Sequence, residues 1–333
     1  MQNKNYNVKA IAEAGLITAF IIVLMLICIY IPVFSIFTNF ILPIPISVLY
    51  IRQNYKVTLV SMVVSAILVS MLYNPISAIS TIFLVGLAGI TFGYCIKSKK
   101  NFTITILLTS AAIFVGMIIF LSVYILIMSN HGIYSFISDS ITKLIINPLK
   151  ESMAMNKEIY AKMGISTDQL SYMESIVSSI TPEYIMRIIP AFILINSVFT
   201  AYLDYLIGTS VLRKLNFDTI HIKPFKNIYM STRIGTAAAS MLVIGLILDR
   251  NNMEIAHYFI NSSAIFLQFI FMIDGLALSA YYFAHKTNMS NKVVIIILII
   301  TLLIGAYFIY IVLGFIDMIM DFRKLDPYRV QKK

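Results

Sequence analysis

Apolar runs long enough to cross a hydrocarbon core recur from one end of this chain to the other, and they restrict the fold to segments packed in lipid. A core of about 30 Å takes ~20 apolar residues per helical span. Runs of that order lie at 11–31, 57–73, 76–96, 102–128, 185–209, 232–249, 257–285 and 293–317. Backbone groups in lipid must be satisfied within protein, so spans are helices or closed barrels. The apolar–polar alternation of barrel strands is missing. What remains is an all-α, polytopic transmembrane bundle of eight or nine spans. Charge agrees: 12% of the 333 residues are Asp, Glu, Lys or Arg, against about a quarter in a soluble domain.

A shorter run at 37–51, "FTNFILPIPISVLYI", carries Pro43 and Pro45. It is too short for an untilted span, and its prolines break a helix. Such a piece is tolerated where it packs in protein or lines a cavity. The first run follows Lys4 and Lys9 and has no small-residue cleavage site after it, so it reads as an uncleaved span. Those lysines place the N-terminus in the cytoplasm by the positive-inside rule. If 37–51 crosses, Lys97, Lys99 and Lys100, the basic loop 210–231 and Lys286 and Lys292 all fall inside. That gives nine crossings in a cell membrane, at the expense of a basic C-terminus outside. The net charge of +10 is spread over these short loops. It therefore fits lipid and topology rather than nucleic acid.

Segment 129–182 is then the main outer loop. Ile133, Ile137, Ile141, Leu144 and Ile145 form one helical stripe, and Leu170, Met173, Ile176, Val177 and Ile180 form another. Ser166 and Gln169 have capping-box spacing, and Thr181-Pro182 reads as an N-cap with proline at the first helical position. The expectation is two amphipathic helices on the outer surface, capping the bundle or resting in headgroups. The basic loop divides the chain into 1–212, with six crossings, and 213–333, with three more and a charged tail.

Four stretches carry a resemblance: "KAIAEAGLITA", "LPIPISVLYIR", "GLAGITFGYCIKSKK" and the terminal "GFIDMIMDFRKL". Together they resemble the YybS-like membrane proteins of Gram-positive bacteria, nearly end to end. The most specific part is Gly-x-x-Asp-x-x-x-Asp-Phe-Arg. This resemblance implies a class of protein and no particular mechanism. The first six crossings are also similar, more distantly, to the substrate-binding S components of energy-coupling-factor transporters. That likeness implies a bound small molecule and a coupling subunit met by an Ala-x-x-x-Ala face on the first helix. Ala10 and Ala14 have this spacing, with Gly15 and Ala19 continuing a small-residue face. Three extra crossings depart from that pattern.

An ionisable residue inside a span is a functional hypothesis by default. Asp274 lies past the middle of 257–285 and shares a helical face with Ser263, Tyr281 and His285. No Lys or Arg lies deep in a span to neutralise it. It is either a ligand or proton site, with Tyr281 and Asn196 as further candidates, or an interhelical hydrogen-bonding group. Asp204 falls near the cytoplasmic end of 185–209, where a solvated interface is expected. Glu13 suits a helix N-terminus. Asp317, Asp321 and Arg323 at the end of the final run either anchor the last helix or dock a partner. That helix is expected to run from about Val293 to Lys324, with Lys324 paired to Asp321.

Cys28 and Cys95 sit in apolar runs as small hydrophobes. The sequence has no metal-ligand motif, no cofactor motif and no catalytic signature such as His-Glu-x-x-His, Walker A or Gly-x-Ser-x-Gly. An enzyme is therefore not expected. Without a nucleotide site, transport would draw on a partner ATPase or an ion gradient. The best expectation is small-molecule binding or transport with partner proteins. The alternative is a non-transporting scaffold of envelope, shape or sporulation machinery.

Overall fold

The computed structural model describes residues 8–326, apart from 36, 130, 131, 165, 220–223, 287 and 288. The described residues are helical with no strand. Seven helices are long and apolar enough to cross a membrane, and up to eight spans result if a bent pair is counted as one. The chain packs as two compact units, Met1–Met128 with Ile193–Lys223 and Ser129–Phe192 with Pro224–Lys333. The sequence division at 212–213 follows charge; this one follows packing.

The first unit begins with α1 (Val8–Tyr30), then α2 (Pro32–Ser35), α3 (Thr38–Ile41) and α4 (Pro43–Arg52). Pro43 and Pro45 mark the helix break expected of them, between the end of α3 at Ile41 and the start of α4. They occupy the first turn of α4, where backbone N–H groups have no intrahelical partner and proline removes nothing. With α3, the short apolar helix Thr38–Arg52 rises about 22 Å, and through it the chain returns to the end where α1 began, since Arg52 meets Glu13. Residues 42–49 are all buried, as a broken segment at membrane depth requires. After α5 (Tyr55–Leu72), the next span starts as α6 (Pro75–Ser80), passes a π-turn at Thr81–Gly86 and finishes as α7 (Leu87–Lys97). Helix α4 lies on α7 through glycine. A Cβ on Gly89 would stand 2.7 Å from the Pro43 carbonyl, and one on Gly93 would stand 3.0 Å from that of Ser47. Small residues permit this approach in lipid, where helix contact rests on packing. Helix α8 (Phe102–Met128) completes the continuous part of the unit.

At the Lys- and Arg-rich end, Glu13 does more than face a helix dipole. It accepts from Arg52, and from Gln53 Nε2 at 2.8 Å, joining α1 to the end of α4. Lys97 Nζ donates to the Tyr50 and Gln53 carbonyls, as suits a cation at a helix C-terminus.

In the second unit, α9 (Ile133–Ile141), a π-turn at Thr142–Ile146, α10 (Asn147–Lys162) and α11 (Thr167–Ser179) make up the segment read from the sequence as the long loop. The expected capping box is formed: Ser166 Oγ accepts from Gln169 N–H, and Gln169 Oε1 accepts from Ser166 N–H. The first apolar stripe is corrected. The π-turn shifts the helical phase, so Ile141 and Ile146 pack on Met186 while Leu144 and Ile145 are exposed. Helix α12 (Pro182–Lys214) follows, with Thr181 Oγ1 accepting from Tyr184 N–H. Its Pro182–Phe192 stretch belongs to this unit and Ile193–Lys214 to the first.

Next come α13 (Thr232–Arg250), α14 (Ala256–Lys286), α15 (Asn291–Leu303) and α16 (Tyr307–Met320). The single helix expected from Val293 to Lys324 is corrected: α15 and α16 meet at 116°. Gly305, with φ of 87°, supplies the left-handed residue. Its N–H bonds to the Leu302 carbonyl, and that of Ala306 bonds to Thr301, which is the Schellman arrangement. Helices α14 and α16 cross at Gly275 and Gly314, where a Cβ on either would overlap the other's backbone.

Candidate functional site

The inward face of α12 in the first unit is a stripe of small and polar residues. Ser197, Thr200, Ala201, Asp204, Gly208 and Thr209 are all buried on it. The hydroxyls of Ser197 and Thr209 donate to the carbonyls of Ile193 and Tyr205 on their own helix, a common use of such residues inside helices. A carboxylate has no proton to donate in this way. Asp204 is 0% exposed, and neither of its oxygens has a hydrogen-bond partner among the described residues. The expectation of a solvated interface residue is therefore corrected. Thr109 on α8 is equally buried, and its hydroxyl also lacks a partner there. Its neighbour Thr105 bonds back to Asn101. The legible signal was the 3.6-residue spacing of small and hydroxyl positions around an acid, which distance from the span's end outweighed.

The second unit holds a buried ionic network in which one acceptor, Asp274 Oδ2, has no hydrogen-bond partner among the described residues. Met320 ends α16, and Asp321 takes the left-handed conformation at φ 48°, which Asp tolerates better than most residues. The chain reverses, so Arg323 points back into the unit instead of outward. Its Nη2 donates to Asp274 Oδ1 at 2.7 Å, and its Nε to Asp317 Oδ2 at 2.9 Å. Nη2 also stands 2.8 Å from Asp317 Oδ2. Nη1 serves the carbonyls of Lys226 and Ile228 at 3.2 and 2.7 Å. Four of the five guanidinium N–H donors thus hydrogen-bond to an acceptor, and both acids lie within ion-pair distance. Asp274 Oδ1 accepts in addition from Met230 N–H, and Asp317 Oδ1 from Phe322 N–H. The guanidinium lies 5.8 Å from the Tyr229 ring centre. Burial pushes the Tyr229 phenol above its ordinary range, and Asp326, Asp321 and Asp274 add to the rise.

Asp274 therefore has a neutralising base, which the sequence reading did not find because Arg323 lies beyond the span. Tyr281, on the same helix, stacks on His285 with ring centres 4.2 Å apart. Asn196 belongs to the first unit, is exposed, and has its Nδ2 3.7 Å from Met117 Sδ. Ala14 is buried, and its carbonyl accepts from Thr18; the Ala10 side chain lies outside the described residues. Gly15 and Ala19 are exposed. Asp317, Asp321 and Arg323 all point inward, at 0%, 8% and 5% exposure. Lys324 is exposed, and the expected Lys324–Asp321 pair is replaced: the Asp321 oxygens accept from the N–H groups of Leu325 and Asp326. Cys28 and Cys95 are buried thiols, and no cluster of metal-ligating side chains occurs among the described residues.

Seven apolar helices of spanning length and a bent apolar pair, with buried acids among them, define a polytopic helical protein of the lipid bilayer. The sequence profile described as "Predicted membrane protein (DUF2232)" matches residues 19–318, and the chain belongs to that family. It is 23% identical over 321 residues to the "Uncharacterized protein YybS" of Bacillus subtilis (strain 168), covering 93% of this chain and 96% of that one. No solved structure matches.

Proposed function

We propose that the protein binds a small solute within its first unit and takes part in moving it across the cell membrane, with a partner protein as the source of energy. The observation that supports this best is Asp204, a buried carboxylate on a span of that unit with no partner among the described residues. An ionisable side chain in a span marks a solute or ion path more often than it serves packing. Lys and Arg favour a cytoplasmic N-terminus. The exposed Gly15 and Ala19 on α1 offer a partner helix the close approach that small residues permit. The reading assigns binding and movement, with no chemical step. Asn196, exposed on α12, is a candidate for contact with the solute on its way in; Asp274 and Tyr281 belong to the other unit.

The test is to purify the full chain from its own membranes in mild detergent and record native mass spectra. A reproducible small-molecule adduct is the expected result. Envelope proteins co-purifying with an adduct-free chain would overturn the reading in favour of a scaffold.

A further inference from the structure

We propose that Asp204 and Thr109 form a site for a single positive charge, an alkali cation or a small ammonium group, held between α8 and α12. The inference rests on the solute-binding reading and names the chemistry of its site. Phe102 and Ile106, near the start of α8, pack with Tyr205 and Leu212, and the Phe102 and Tyr205 ring centres are 5.0 Å apart. Further along α8, Ile113 shares a buried cluster with Ala201 of α12 and Ala88 of α7. Later residues of one helix thus meet earlier residues of the other, and the pair is antiparallel. Stepping back four residues from Ile113 gives Thr109. Stepping on three from Ala201 gives Asp204. Each step is about one helical turn, so the two side chains stand at the same level, and both are fully buried.

Their oxygens are three buried acceptors without a partner among the described residues. The hydroxyls of Thr105, Ser197 and Thr209 are satisfied by their own helices, whereas the buried Tyr205 hydroxyl, beside Asp204 on α12, also lacks a partner among the described residues. Burying a carboxylate with neither counter-charge nor donor is strongly unfavourable. Hard oxygen donors suit alkali and ammonium cations, not soft metals. No described Lys or Arg makes an ion pair with Asp204, so the carboxyl is neutralised by a proton until a cation taken up at the site replaces it.

The experiment follows thermal unfolding of the detergent-purified full chain against NaCl, KCl, LiCl and methylammonium chloride, with N-methyl-D-glucamine chloride fixing ionic strength. One probe should raise the melting temperature saturably, by roughly 5 °C at a hundredfold excess over its dissociation constant. Saturation by an alkali salt identifies a bare ion; saturation by methylammonium alone identifies an organic ammonium. Thr109→Val should raise the half-effect concentration several-fold, and Asp204→Asn should abolish the response. Asp204→Leu guards against a variant that fails to fold. It removes the unpaired carboxylate, and should melt above wild type without the cation and ignore it when added. A wild type with no response, or the same response in Asp204→Leu, overturns the proposal. A native-mass adduct kept in Asp204→Leu would leave the solute-binding reading standing while this one falls. A cation response in an adduct-free chain would do the reverse.

Discussion

Arg323 is the residue on which the second unit closes. Two carboxylates and two backbone carbonyls from separate parts of the chain share its guanidinium, and its side chain and those of both acids are fully buried. Removing one member of such a set leaves charge with nowhere to go, which typically destabilises by about 3–5 kcal/mol. Arg323→Met should lower the melting temperature of the purified protein by many degrees. Arg323→Lys should rescue little, because an ammonium cannot reproduce the planar fork. Unchanged melting in Arg323→Met would show that the network contributes nothing to stability. The residues of the Gly-x-x-Asp-x-x-x-Asp-Phe-Arg signature now have physical reasons. Gly314 lets α16 meet α14, Asp317 and Arg323 pair, and Asp321 turns the chain.

Among the helices, the sequence was legible where one rule acts alone. Apolar length placed the spans, and cap chemistry at Ser166 and Thr181 placed the starts of α11 and α12. It was illegible where a single residue redirects the chain. The π-turn at Thr142–Ile146 carries no compositional mark yet rotates every later side chain. Gly305 looks like any glycine in an apolar run until its φ of 87° bends the last span. Asp204 was misjudged because distance from a span's end predicts solvation poorly once neighbouring helices cover that end. The Gly89 contact gives a paired test at this scale. Gly89→Val drives side-chain atoms into the Pro43 carbonyl and Ile46, whereas a Cβ on Gly15 meets nothing within 4 Å. Overpacking of this kind costs about 1–3 kcal/mol. Gly89→Val should therefore melt well below wild type and Gly15→Val close to it; equal melting of the two would refute the tight α4–α7 contact.

For the molecule as a whole, the connections rich in Lys and Arg fix the expected orientation. Exposed Lys99 follows α7, and exposed Lys157 lies on α10. A cysteine at position 99 should react with a membrane-impermeant maleimide only after the cytoplasmic side is opened. One at position 157 should react in intact cells. The reverse pattern would invert the topology, and labelling of both from one side would change the number of crossings between them. Both native thiols are buried, so the background should be low.

The Arg323 network also sets an order on biosynthesis. Asp274 enters the bilayer in α14, but its partner is made 49 residues later. At translation rates of about 5–20 residues per second, the acid waits roughly 2.5–10 seconds with no counter-charge. During that interval the last two spans must insert, bend at Gly305 and turn at Asp321. A ribosome that stalls before Arg323 releases a chain whose spans are all present but whose charge is open. The cluster thus distinguishes a chain that has reached Arg323 from one that has not, and gives membrane quality control a defect to recognise inside the bilayer.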